Sequence, residues 1–407
     1  MSAAPQPIMS ARRVALFGAL LMAMGPMAMT LFTPALPEVA RTLNTTDASV
    51  KMTMTAYFGG FAFAQLVAGP ISDAIGRRPV VFAFVSLFLV GTLGAVFATT
   101  VELLILSRFI QGLGASAGIS ISRALVRDVF EGDAASRIIN MIGLILVAGP
   151  AFGPTIGGLL MTVFGWRAVF VGMFLFGVAV AALVAFGMRE TVRNPDRSRL
   201  GLRPLLRSYR VLLSSRYFIA AILVQAGIVG AIYTQATVLP FVMMERVGLT
   251  PTQFGLGMLL QSSGFLIGSI SVRFLMPRLG GRRLVNIGMF PLALGSLAIL
   301  SLLFIEPSYL GVMAPIALFS FSNAFVMPGN TTAAMAPFPE MAGAAAAFMG
   351  FTQMFLGMTF GTLAALFPNP VIGLALMTSL LGSVAVLAHI VARRMQSQPL
   401  VLPAVGE

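Results

Sequence analysis

Three places in this chain put polar chemistry where an apolar sequence has little use for it. Between Gly69 and Arg78 it reads Gly-Pro-Ile-Ser-Asp-Ala-Ile-Gly-Arg-Arg, directly after a long apolar run. Gly69, Asp73, Gly76, Arg77 and Arg78 thus crowd into a tight loop between two apolar segments. A carboxylate at such a place can face the positive N-terminal end of a neighbouring helix, and the eleventh apolar run begins near Met341 on the same side. Arg77 is expected to pair with Asp128 at the end of the fourth run. Asp73, Arg77 and Asp128 read as a latch, set against the alternative of ordinary loop charges whose pairing contributes about 0–1 kcal/mol.

The second place is Leu104-Ile-Leu-Ser-Arg108-Phe-Ile-Gln111-Gly112-Leu-Gly114-Ala115-Ser116. Arg108 lies inside an apolar run, where an arginine is costly and points to function by default. It either couples to the chain's task, together with Gln111, or snorkels to headgroups, or binds helix carbonyls structurally. The small residues from Gly112 to Gly118 let another helix approach closely. The third place is Gly149-Pro-Ala-Phe-Gly153-Pro154-Thr-Ile-Gly157-Gly158. Prolines bend a helix and free carbonyls, and glycines at four-residue spacing give a flat packing surface.

The elements that must hold these residues are membrane helices. The 407 residues are 58% hydrophobic and 10% charged, where soluble chains carry about 25% charged residues. A bilayer core of about 30 Å takes about 20 apolar residues per helix. Runs fall at 14–36, 52–71, 79–99, 103–124, 138–162, 167–187, 217–241, 253–275, 284–305, 309–331, 342–366 and 370–392. All are expected to be helical, because backbone in lipid must satisfy its own hydrogen bonds. The fold class is therefore an all-α membrane protein of twelve spans in two pseudo-symmetric six-helix bundles. The expected organisation is an N-terminal bundle over 1–188, a basic linker over 189–216, a C-terminal bundle over 217–395 and a disordered tail over 396–407. The linker is rich in arginine, from Arg189 to Arg216, and reads as an anchor on the lipid surface.

The net charge of +13 does not point to nucleic acid. Arg12, Arg13, Arg77, Arg78, Arg123, Arg127, Arg137, the linker cluster, Arg273, Arg278, Arg282, Arg283, Arg393 and Arg394 fall on one side of the expected bilayer. Arg41, Lys51, Arg167 and Arg246 fall on the other. That asymmetry places both termini in the cytoplasm. The first run is too long for a signal peptide and is followed by further spans. With no cysteine there is no thiol chemistry. No phosphate-binding loop, no His-Glu-x-x-His and no metal cluster is found, so an enzyme or an ATP-driven pump is not expected, and no cofactor or metal.

The halves are related. Arg273-Phe-Leu-Met-Pro-Arg278-Leu-Gly280-Gly281-Arg282-Arg283 repeats the glycine and the paired arginines of the first loop without its aspartate. Six plus six spans with a weak repeat suggest a transporter with a substrate site between the halves. Candidate substrate contacts are Thr30, Phe32, Tyr57, Phe61, Gln65, Tyr233, Gln235, Gln261, Asn323, Asn330, Gln353 and Phe355. Apolar linings with a few polar groups suit drug-sized ligands, although each of these could equally be a packing residue. His389 reads as interfacial.

The motifs at 69–78, 104–116 and 149–158 resemble the major facilitator superfamily, the third being similar to the signature of its antiporter branch. Asn330 to Ala345, Thr33-Pro-Ala-Leu-Pro37 and Trp166-Arg167 resemble the bicyclomycin-resistance (Bcr/CflA) group of multidrug exporters. The resemblance spans the whole chain. It implies drug:proton antiport by alternating access in the inner membrane by a monomer, a latch at Asp73, Arg77 and Asp128, and a coupling role for Arg108. One position departs. Members of that group often carry an aspartate four residues before the proline matching Pro34, and here it is Thr30. No acidic residue of the chain is expected at mid-membrane depth. The departure leaves open an alternative, an uncoupled facilitator or importer of a small metabolite, and it favours neutral or anionic substrates.

Overall fold

A computed structural model describes residues 8–130, 132–192 and 202–396. The expected tail at 397–407 and the part of the expected linker at 193–201 lie outside the described residues. The membrane-crossing helices are numbered here in chain order. They are α1 Ala11–Thr30, α2 Asp47–Ile75, α3 Arg77–Val96 and α4 Val101–Val129, the last interrupted at Ser116. Next come α5 Gly132–Phe164, α6 Trp166–Gly187 and α7 Arg216–Phe241. The stretch Pro251–Leu300 is helical on both sides of a kink, where Gly280 sits at φ 73° and ψ 159°. It is therefore two helices, α8 over 251–279 and α9 over 281–300. The set closes with α10 Tyr309–Met335, α11 Ala342–Ala365 and α12 Pro370–Gln396. Among the described residues this makes twelve crossing helices and no strand.

Local sequence sets several of these boundaries. Thr46, Thr100 and Ser308 precede α2, α4 and α10, and each hydroxyl accepts the backbone N–H three residues on, at 3.2–3.3 Å. Each such cap stabilises its helix start by about 1 kcal/mol. Apolar side chains cover the outside of the helices. Phe186 is 92% exposed and Phe304 87% exposed, a surface that only lipid covers favourably.

The helices gather into two compact units, 1–201 with 240–259, and 202–239 with 260–407. The division falls inside α7 at Pro240 and inside α8 after Leu259. The stretch read as a basic linker contributes to both. Glu190 and Thr191 are built into the first unit, as described below. The helix Leu202–Ser214 is built into the second, with Leu212 fully buried and the Tyr209 ring 5.6 Å from that of Phe348 in α11. Burial pushes the Tyr209 phenol up to about 12.

Candidate functional site

Two charged constellations lie in the first unit. The first forms where α2 turns into α3 through a single residue. Gly76 is at φ 117°, a conformation that glycine alone adopts without strain, so Arg77 opens α3 immediately. The Arg77 side chain folds back beneath the turn, 7% exposed. Its Nε donates to Asp128 Oδ2 at 2.9 Å, with the longer 3.4 Å contact to Oδ1 completing a fork. The guanidinium also donates to Ser72 Oγ at 2.6 Å and pairs with Asp73. Arg78 donates to the Ala185 carbonyl at 2.7 Å. Gly69 offers its carbonyl to Ser72 Oγ at 2.8 Å, and a side chain placed on it would meet open space.

One partner here was not foreseen. Glu190 accepts the backbone N–H groups of Arg77 and Arg78 at 2.9 and 3.1 Å, and those of Thr191 and Val192 at 2.9 and 3.0 Å. It supplies the cap that Gly76, lacking a side chain, cannot give α3. The next residue, Thr191, donates its hydroxyl to Asp128 at 2.8 Å. A Cβ on Gly76 would press on the Glu190 carboxylate, so the glycine serves both the turn and the approach. Glu190→Gln keeps one of the two acceptor oxygens, turns an NH2 donor toward a backbone N–H at the other, and loses the charge at the helix start. It is expected to lower stability by about 1 kcal/mol, read as a drop in melting temperature of the detergent-solubilised protein, and Glu190→Ala by more.

The second constellation centres on Arg108 in α4. Gly112, one turn on, lies so close to the Tyr57 carbonyl of α2 that no Cβ fits. The close crossing brings the Tyr57 ring over the guanidinium at 4.3 Å. Phe32 and Phe170 add faces at 4.9 and 5.9 Å. Arg108 donates to the Ala28 carbonyl at 3.1 Å and to Gln111 Oε1, and reaches Met54 Sδ at 3.6 Å. Gln111 then donates to Thr92 Oγ1 at 2.7 Å. Arg108 is 0% exposed, which rules out snorkelling to headgroups. Among the described residues no carboxylate pairs with it, and its Nε has no hydrogen-bond partner. Aromatic faces stabilise a desolvated cation by about 2 kcal/mol, well short of the several kcal/mol that burying an ion costs.

The helix-5 motif packs with its glycines inward. A Cβ on Gly153 would meet Thr30, one on Gly157 the Leu31 carbonyl, and one on Gly158 the Pro251 carbonyl. The Pro154 carbonyl lies against Gly255, and Thr155 donates to the Gly255 carbonyl at 3.0 Å. Gly149 is described only as part of α5. The motif thus seats α5 on α1 and on the start of α8, within the first unit.

The substrate candidates divide. Phe32 and Tyr57 are held against Arg108, and Tyr57 also donates to the Gly25 carbonyl at 2.8 Å. Phe61 is fully buried, with its ring against Gly25. Thr30 turns its hydroxyl back to the Pro26 carbonyl at 2.8 Å. Gln65 is buried with an unpartnered Oε1. In the second unit Asn323 accepts from Gln225 at 2.8 Å, and Asn330 donates to the Ala221 carbonyl at 2.8 Å. Gln235 is buried with both amide atoms unpartnered. Tyr233, Gln261 and Gln353 are half-buried, while Phe355 is exposed and stacks on Phe351 at 5.4 Å. Sequence reasoning also missed Lys51. Read as a charge outside the membrane, it is 2% exposed, with Nζ 4.4 Å over the Phe241 ring. Its partner ring lies far along the chain, so no local pattern could reveal it.

The comparisons with known proteins agree with this architecture. The Major Facilitator Superfamily profile matches residues 16–362. The chain is 32% identical over 387 residues to multidrug resistance protein D of Escherichia coli (strain K12), covering 93% of this chain and 95% of that one. It is 26% identical over 343 residues to a bicyclomycin resistance protein homolog of Haemophilus influenzae, covering 84% and 85%. Among solved structures, a D-xylose-proton symporter superposes with a TM-score of 0.75 at 12% identity, over 94% of this chain and 97% of that one, a likeness of fold alone. With long apolar helices throughout its described residues, a profile match over most of its length and relatives named for drug resistance, this chain belongs to the Major Facilitator Superfamily of membrane transporters.

Proposed function

We propose that this transporter exports small amphipathic compounds in exchange for protons, by alternating access. The reading places it in the bacterial inner membrane as a monomer, with the arginine-rich face and both termini in the cytoplasm. The observation that carries it is the buried, carboxylate-free guanidinium of Arg108 linked through Gln111 to Thr92. Such a cation changes the charge state of any proton carrier or anion that approaches it. The glycine-faced α5 and the resistance names of the relatives support the outward direction. The Asp73–Arg77–Asp128 group serves as the latch that opens and closes on the arginine-rich face, with Ser72, Glu190 and Thr191 as its supports.

One observation favours a second reading. Thr30 stands where a proton-carrying aspartate is often found in the group this chain resembles, and its hydroxyl is spent on its own helix. Without that acid the carrier could equilibrate a neutral or anionic solute without proton exchange. Proteoliposomes with a pH dye inside separate the two readings. Neutral, anionic and cationic drugs are added in turn, alongside a labelled compound. Compound-dependent pH change supports exchange and gives the charge class. Equilibration of the label with no pH change supports the facilitator.

A further inference from the structure

Burial sorts the charges of this chain by sign. Among the described residues the buried charged side chains are Lys51, Arg77 and Arg108, and no carboxylate is buried with them. Arg77 is paired with Asp73 and Asp128. Lys51 and Arg108 make no ion pair among the described residues. The two unpaired cations belong to the same unit and are linked along α2. Lys51 and Met54 are neighbours on that helix, separated by about 4.5 Å of rise. Met54 Sδ in turn lies 3.6 Å from the Arg108 guanidinium.

Both cations are held by aromatic faces. Tyr57, Phe32 and Phe170 surround Arg108, and Lys51 Nζ stands 4.4 Å from the centre of the Phe241 ring. Phe241 ends α7, and the chain passes from it into a π-helical turn, Val242–Arg246, an irregularity that recurs at functional sites. The charges that act on Lys51 are those of Asp47, one turn earlier on α2, and of Glu245 in the π turn. Asp47 is half-buried and Glu245 exposed, so both keep their water while Lys51, 2% exposed, has lost nearly all of its own. An aromatic face returns only part of what it costs to bury an ion. The missing counter-charge is one that the chain does not carry.

We propose that Lys51 selects substrates bearing an anionic group, as the second of two cations that such a group meets on its way out. The proposal rests on the exporter reading and deepens it by naming the charge class, organic anions with an aromatic or apolar body. Arg108 is the first cation. Lys51, in the second turn of α2, lies toward the face opposite the arginine-rich one, which the charge asymmetry makes the outer face. A sulfonate or carboxylate near Met54 stands within one helical turn of Lys51 and beside the Arg108 guanidinium. Phe241 covers the ammonium in the meantime, and the anion takes the place of that ring face.

The full-length protein is reconstituted in proteoliposomes and given labelled naphthalenesulfonate and biphenylsulfonate, each alongside its sulfonamide. The members of a pair share their rings and their size and differ in charge. The wild type is expected to move the sulfonates with the higher kcat/KM. Lys51→Gln should lower the sulfonate-to-sulfonamide ratio by about tenfold, the lower range for a contact to a charged group, and Lys51→Arg should keep the ratio. The wild-type comparison needs no variant, so it decides the charge class even if Lys51→Gln fails to fold, which melting in detergent reports. A wild type that moves the sulfonamides alone overturns this proposal and leaves the exporter reading in place. Movement of neither class overturns both. Equal loss of the two compounds in Lys51→Gln means that Lys51 serves only the packing of α2, and overturns its part in selection.

Discussion

Replacing Arg108 by methionine is expected to abolish substrate-driven proton movement while leaving the folded protein close to wild type in stability. The two halves of that result have different causes. Methionine matches arginine only as far as Nε, so it keeps the stem beside Met54 and leaves the volume of the guanidinium unfilled. It leaves the Ala28 carbonyl and Gln111 Oε1 short of a donor, a loss of about 1–3 kcal/mol each. It also removes a buried cation that no carboxylate compensates, which returns several kcal/mol. The terms offset to within about 2 kcal/mol. Function has no such compensation, because no other described side chain puts a charge among Phe32, Tyr57 and Phe170. The expected loss is on the order of 100-fold, the lower range for a positioned proton-transfer group. Arg108→Lys should recover only part of it. A single ammonium cannot both fork between Ala28 and Gln111 and lie flat against Tyr57. Dye-loaded proteoliposomes give the functional half, and melting in detergent gives the other. A methionine variant that still moves protons at the wild-type rate would remove Arg108 from the mechanism.

That the guanidinium would be buried could not be read from sequence with certainty. Arg108 sits within the first turns of α4, where the chain alone allows it to reach headgroups. The decision is made by Gly112, which draws α2 in and closes aromatic faces over the charge. The Arg77–Asp128 pairing was legible, because both residues fall at the ends of apolar runs on the same side. Gly280 was legible as a repeat of the first loop, and its positive φ follows from the same need to reverse the chain in one residue. Glu190 was not legible. It sits more than 110 positions from the N–H groups it accepts, inside an arginine-rich stretch whose composition reads as a surface anchor. Phe32 and Tyr57 carry the opposite lesson. An aromatic in a membrane helix reads as a ligand contact, and the fold adds that both of these rings lie against the Arg108 guanidinium.

Removing Asp128 is expected to cost far more than removing Asp73, although both pair with Arg77. Asp128 is 21% exposed and takes two guanidinium contacts and the Thr191 hydroxyl. Asp73 is 38% exposed and makes one contact, four residues from Arg77 on the same turn. Asp128→Asn therefore strips most of the compensation from an arginine that is itself 7% exposed. Breaking a fully buried pair this way costs about 3–5 kcal/mol, and the partial exposure of Asp128 brings the expectation to about 2 kcal/mol. Asp73→Asn should cost no more than about 0.5 kcal/mol. If the group is a latch, the functional order can differ from the stability order. Asp73 contributes little to the stability of its own unit, so a strong effect of Asp73→Asn on conformational balance would have to come from a contact made in only one state of the cycle. Melting temperatures rank the two variants for stability. Accessibility of single cysteines placed on the arginine-rich face of the cysteine-free chain reports the balance of states. Asp128→Asn should both melt earlier and change labelling, whereas Asp73→Asn should change labelling alone. If Asp73→Asn leaves labelling and transport at wild-type values, Asp73 is an ordinary loop charge, and the latch reduces to Arg77 and Asp128 with their supports Glu190 and Thr191.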